Sequence, residues 1–213
     1  SSAGQRGIHI LSHLSQRGLL CFGPRAGKQP TFVLLDEWLP AAKELQRDEA
    51  LAELAQRYFT GHGPATLQDF IWWTGLKVSD AKAGLNMAAA HLVREIVNDK
   101  TYWMAANTPT LHDASSAVYL LPGFDEYMLG YTDRSAALDP QHKQKIHPGG
   151  NGVFKSTIIL NGRVAGTWNR VIKKGAVVIE TNPFAPLSDA ETQAVAAMAR
   201  CFGQFLGMPV AQP

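Results

Sequence analysis

Apolar positions along the chain switch between helical and strand periods, and the switches set out its modules. Ile8, Leu11 and Leu14 recur at helical spacing to about residue 17, where Gly18 stops them, and Leu19 to Phe22 then reads as a strand. Gly23-Pro24-Arg25-Ala26-Gly27-Lys28-Gln29-Pro30 is a basic, turn-rich loop, and Thr31 to Leu35 returns as a second strand. Helix, strand, basic loop, strand is the second half of a winged helix. The chain is therefore expected to begin inside a module, and its start at Ser1-Ser2-Ala3-Gly4 is expected of a processed or truncated chain.

The next block reads as complete. Leu51, Leu54, Ala55, Tyr58 and Phe59 make one helical face, closed by Gly61-His62-Gly63-Pro64. Thr66 and Asp69 offer an N-cap and an acidic first turn to a helix carrying Leu67, Phe70, Ile71 and Trp73, and Gly75 ends it. Ser79 is placed to cap a third helix running to about His91 with Ala81, Leu85 and Ala88 inside. Leu92 to Val97 and Thr101 to Met104 then pair across Asn98-Asp99-Lys100. Three helices and a hairpin predict a winged helix-turn-helix, whose third helix such folds present to the major groove.

Residues 105–117, rich in Ala, Thr and Ser, read as a linker, and beyond them strand patterns dominate. Val118 to Leu121, Val153 to Leu160, Arg163 to Arg170 and Ala176 to Thr181 are the predicted strands. Asn161-Gly162 joins two of them, a dipeptide suited to a turn whose two central residues need φ > 0. A final helix starts at the capping box Ser188/Glu191, carries Val195, Met198, Ala199, Phe202, Phe205 and Leu206, and stops at Gly207. The fold class is thus α+β: tandem winged helix-turn-helix modules, then a small antiparallel β domain and a C-terminal helix. The expected units are 1–42, 43–105 and 118–213.

Composition narrows this only in places. A chain of 213 residues with 46% hydrophobic and 18% charged residues folds rather than staying disordered. No apolar run is long enough to span a bilayer and no signal-peptide pattern opens the chain, so the expected location is the cytoplasm. Cys21 and Cys201 lack any ligand spacing and are expected to be buried free thiols. The net charge of +2 says little, but its distribution says more. Between Asp139 and Glu180 there is no acidic residue, while Lys143, Lys145, Lys155, Arg163, Arg170, Lys173 and Lys174 all fall there.

That cationic stretch suits a polyanion, because each neutralised phosphate releases condensed counterions. Lys155, Arg163, Arg170, Lys173 and Lys174 are the expected contacts to double-stranded DNA, with Arg25 and Lys28 adding phosphate or minor-groove contacts from the first loop. A solvated basic face is the alternative. Phe154 and Trp168 are either base-stacking platforms or core, and Trp72 and Trp73 read as core, one of them at a module interface. His9 and His13, one helical turn apart, lack a third metal ligand nearby and read as exposed polar residues. Asp125 and Glu126 stand beside aromatics in Gly123-Phe124-Asp125-Glu126-Tyr127, before Tyr131-Thr132-Asp133-Arg134. They are either a general acid or base, or they cap a short helix and pair with Arg134. No Gly-rich phosphate loop, nucleophile elbow or zinc ligand set occurs, so no cofactor or metal is expected.

Longer stretches carry a family resemblance. Cys21-Phe22-Gly23-Pro24, Gly27-Lys28-Gln29-Pro30-Thr31-Phe32, Arg57-Tyr58-Phe59, His62-Gly63-Pro64-Ala65-Thr66, Asp69-Phe70 and Trp72-Trp73-Thr74-Gly75-Leu76 resemble the bacterial winged-helix family of AlkZ-type DNA glycosylases. Leu121-Pro122-Gly123-Phe124-Asp125-Glu126-Tyr127, Gly130-Tyr131-Thr132-Asp133-Arg134-Ser135 and Gly162-Arg163-Val164-Ala165-Gly166-Thr167-Trp168 continue it. The resemblance implies tandem winged helices around a DNA-binding cleft and, for characterised members, hydrolysis of the N-glycosidic bond of alkylated or crosslinked purines. It also implies a catalytic pair, Gln-x-Gln or a close variant, in an N-terminal winged helix. Gln5, Gln16, Gln29 and Gln141/Gln144 have other spacings or contexts, so that pair is expected upstream of Ser1, and catalysis by this chain is left open. Three readings stand: the DNA-binding and scaffold part of a repair glycosylase, a non-enzymatic regulator, or a protein-interaction scaffold of the same architecture.

Overall fold

Gly18, at φ 70°, closes the first helix as expected, α1 (Ser2–Gln16). Strand β1 (Leu20–Phe22) pairs antiparallel with β2 (Phe32–Leu34), and reciprocal backbone bonds of 3.1 Å between Ala26 and Gln29 close the loop between them. A four-residue helix not foreseen in the pattern, α2 (Leu35–Trp38), follows. The computed structural model describes residues 2–27, 29–41, 43–108, 117–149 and 152–211, so Lys28 and most of the linker lie outside the described residues. The chain divides into two compact units, Ser1–Gln46 and Arg47–Pro213, each mixed in or adjoining α and β structure.

The second unit opens with α3 (Arg47–His62), whose buried residues Leu51, Ala55, Tyr58 and Phe59 belong to the predicted stripe. In α4 (Leu67–Thr74) Thr66 and Asp69 form a full capping box, and Gly75 takes the left-handed conformation at the other end. Helix α5 (Val78–Ala88) starts one residue before the expected cap Ser79. Lys77 enters it in an extended conformation without a side-chain cap, and Asp80 supplies the negative charge in the first turn, paired with Arg47 at 2.8 Å. The last predicted turn, Ala89–His91, tightens to a 3₁₀ helix. Helices α3 and α5 pack closely because Gly84 has no side chain: a Cβ there would stand 2.6 Å from Leu51 O. Strands β3 (Leu92–Val97) and β4 (Lys100–Ala105) form the expected hairpin, turning through Asn98 and Asp99, both at positive φ. Ala65 bonds both ways with Trp103, laying a short third strand segment beside β4.

The remainder is a five-stranded sheet in the order β5 (Val118–Leu121), β6 (Thr157–Leu160), β7 (Arg163–Lys173), β8 (Ala176–Pro183), β9 (Val210–Ala211). The first four pair antiparallel, but β9 runs parallel to β8, so the sheet is not the wholly antiparallel one expected. The crossover that permits this is α8 (Asp189–Leu206), capped by Ser188 and Glu191 as predicted. Strand β6 is buried on both faces. Ile158 and Leu160 join Trp168, Val177, Val195 and Ala199 beneath α8, while Ile159 joins Met128, Leu138, Ile146 and Val164 on the other side. Met128, Leu138 and Ile146 come from α6 (Glu126–Leu129), α7 (Lys143–Ile146) and the chain between them, and Val164 from β7; among the described residues the strand expected from Val153 begins only at Thr157. Among the described residues no helix is long and apolar enough to cross a membrane.

Candidate nucleic-acid interface

The polar residues of segment 125–135 are largely occupied in fastening it to the helices before it. Asp125 caps α6 by accepting from Tyr127 N at 2.9 Å. Glu126 Oε2 accepts from Trp73 Nε1 at 2.9 Å and lies 3.4 Å from His62 Nε2, and Trp72 Nε1 donates to Leu129 O at 3.2 Å. Tyr58 and Tyr131 donate to Gly130 O and His62 O, at 3.0 and 2.7 Å. Burial raises the pKa of both phenols. The two tryptophans, 56% and 41% exposed, are therefore not core; both serve the junction. Neither Asp125 nor Glu126 pairs with Arg134, whose Nε donates instead to Met128 O.

Asp69 is the centre of that junction. Its Oδ2 accepts from Thr66 N and Oγ1 at 2.9 and 2.7 Å, and its Oδ1 from Thr132 N and Oγ1 at 2.8 and 2.7 Å. Burial pushes its carboxyl up, but the bonds from Thr132 and Thr66 together outweigh this and hold it below the usual range. Nearby, Lys100 Nζ donates to Asp133 Oδ2 at 2.7 Å, and Ser135 N and Oγ donate to its Oδ1. Those bonds, Lys100 first, lower the Asp133 pKa.

The predicted cations divide by position. Arg25 is exposed on the β1–β2 loop, and Lys28 lies outside the described residues. Arg163 and Lys173 occupy opposite ends of the 11-residue β7, roughly 30 Å apart at the usual strand rise. The stretch is therefore not one basic hairpin surface. Arg170, Lys173 and Lys174 gather toward the β7–β8 turn, where Asn169 to Lys173 are all exposed. Arg170 spreads its guanidinium over Phe202, 5.6 Å from the ring centre. Lys155 is exposed just before β6, next to Ser156, whose carbonyl accepts from Trp168 N. Among the described residues none of the seven cations between Asp139 and Glu180 is in an ion pair.

The aromatics on this stretch are structural. Trp168 is 4% exposed and donates from Nε1 to Leu121 O at 2.8 Å, and Phe154 stacks on His147 at 4.6 Å beneath the Arg134 guanidinium. Neither thiol is buried: Cys21 is half-buried and Cys201 exposed. His9 and His13 are exposed on α1, and among the described residues no three His, Cys, Asp or Glu side chains converge.

Sequence reasoning missed a cavity of about 860 Å³ within the second unit. Leu67, Asp69 and Ile71 of α4, Val78 and Lys82 of α5 and Lys100 to Tyr102 of β4 form one side; Tyr127, Tyr131 and residues 132–137 form the other. The helical pair Leu67/Ile71 and the run Tyr131-Thr132-Asp133-Arg134 were visible in the sequence, but only the fold brings them together with α5 and β4 around one cavity.

The family description AlkZ-like DNA glycosylase matches residues 1–205. The chain belongs to the AlkZ-like DNA glycosylase family. It is 30% identical over 172 residues to the interstrand DNA cross-link repair glycosylase of Streptomyces sahachiroi, covering 76% of this chain and 46% of that protein. The solved structure of Streptomyces sahachiroi DNA glycosylase AlkZ shares its fold, with a TM-score of 0.73 at 24% identity over 96% of this chain and 57% of that one. The chain thus spans about half the length of each of these AlkZ-like relatives.

Proposed function

We propose that this chain is the double-stranded-DNA-binding and scaffold part of a cytoplasmic repair glycosylase acting on alkylated or crosslinked purines, with residues 43–105 serving as a winged-helix module. The observation that carries the reading is the exposed turn end of β7–β8, where Arg170, Lys173 and Lys174 stand without a carboxylate partner among the described residues. Cations left uncompensated on a projecting hairpin bind phosphates by releasing counterions. Arg25 adds a separate contact from the first unit. Family membership supports a repair role, and the Streptomyces sahachiroi relative, named for interstrand DNA cross-link repair, supports crosslinked DNA as a substrate.

Asp125 and Glu126 are scaffold residues in this reading. Hydrolysis of a glycosidic bond needs a group placed to orient water and steady a cationic sugar, within hydrogen-bond reach. One carboxylate is spent on a helix cap and the other on Trp73. The test incubates the chain with duplex carrying an N7-alkylguanine and measures both complex formation and abasic sites. Complex formation without base release is expected. Failure to bind duplex at low salt would remove the reading. Base release lost in Glu126→Gln would move the active site into this segment.

A further inference from the structure

The cavity between the two halves of the second unit has chemistry that the proposed duplex contact does not use. Its wall includes Tyr102, Tyr127 and Tyr131, and two of these rings are held at their hydroxyls, Tyr127 by Gly162 O and Tyr131 by His62 O. Leu67, Ile71 and Val78 supply apolar surface. Both carboxylates on the wall are occupied: Asp69 accepts from Thr66 and Thr132, and Asp133 from Lys100 and Ser135. Lys82 lines the cavity outside any ion pair among the described residues, and so does Arg134, whose Nε is held by Met128 O and whose guanidinium lies over Phe154. Arg163 stands at its edge, donating to Ala136 O at 3.5 Å beside the lining residue Gly162.

We propose that this cavity takes a single unpaired nucleotide of DNA, its base against the tyrosine and aliphatic wall and its phosphates facing Lys82, Arg134 and Arg163. The volume suits one nucleotide and falls in the usual range of small-ligand sites. Aromatic faces stack any base, and cations track the backbone on either side of it. The inference rests on the DNA-binding reading. It gives α5 a different task from lying in a major groove, because Val78 and Lys82, one turn apart, face the cavity.

The test uses two duplexes of equal length, one fully paired and one with a single extra 2-aminopurine nucleotide, read by anisotropy and by 2-aminopurine fluorescence. The chain is expected to bind the bulged duplex about tenfold more tightly, as one stacked base gives, with a change in probe emission. Tyr102→Ala should abolish that preference and leave paired-duplex affinity within about twofold. Lys82→Gln, on an exposed helix position that endangers no packing, should reduce the preference as well. Equal affinity for the two duplexes, or a preference that survives both variants, overturns the cavity assignment and leaves duplex binding standing. Free 2-aminopurine deoxynucleotide that binds while the bulge earns no preference also overturns it, in favour of a small-molecule site. No binding to either duplex overturns the DNA reading itself.

Discussion

Asp69 shows how one carboxylate joins local and long-range structure. The same side chain closes the α4 capping box and holds Thr132, 63 positions further along the chain. Asp69→Ala removes an N-cap contact and leaves the Thr132 N–H without its partner, so a loss of about 2–4 kcal/mol in urea unfolding is expected; a loss below about 0.5 kcal/mol would contradict the geometry. The pH dependence has a definite sign. The folded carboxyl titrates below the unfolded one, so its contribution is complete above the unfolded value of about 4 and is lost as pH falls through the lower folded value. Stability should drop less steeply with acid in Asp69→Ala than in the parent chain. The capping half of this arrangement was legible in Thr66-x-x-Asp69, because it depends on spacing along a helix. The Thr132 half was not, since nothing in a local window says which acceptor a remote threonine will meet. Trp72 and Trp73 failed for the same reason: a half-exposed indole bound to another element through its N–H looks like core when read by hydrophobicity alone.

Elements with a strong local signal formed where expected. The Asn161-Gly162 turn, with φ of 50° and 75°, the Ser188/Glu191 box and the left-handed Gly75 and Gly207 each act through backbone geometry confined to a few residues. Helices α2 and α7, of four residues each, are too short to display a periodic stripe, and β9, of two, has no alternation to read, whereas the equally short α6 was visible as one reading of Asp125-Glu126 through its cap. Charge spacing in sequence does not give spacing in space once an extended strand carries Arg163 and Lys173 to opposite ends. Phe205 follows the predicted α8 stripe yet is 83% exposed, whereas Leu206 in the same turn packs against the core. For α8 itself, Ser188→Ala should cost about 1 kcal/mol in urea unfolding. An unchanged midpoint would mean that packing of Val195 and Ala199 alone fixes where the helix begins.

The molecule as a whole combines a small first unit, bearing Arg25 on its loop, with a larger second unit. In the second unit, segment 125–135 binds the three-helix block to the five-stranded sheet. That division of labour places scaffold chemistry in the acidic motif and leaves exposed cations for a polyanion. The most direct test is the salt dependence of duplex affinity, measured by anisotropy from low to physiological salt, for the parent chain and for a variant with Arg170, Lys173 and Lys174 all changed to Ala. If the hairpin end grips phosphates, the log–log slope should become shallower by about 2–3 in the variant, equally for every duplex sequence. A slope unchanged within about 0.5 would show that the β7–β8 turn does not touch DNA.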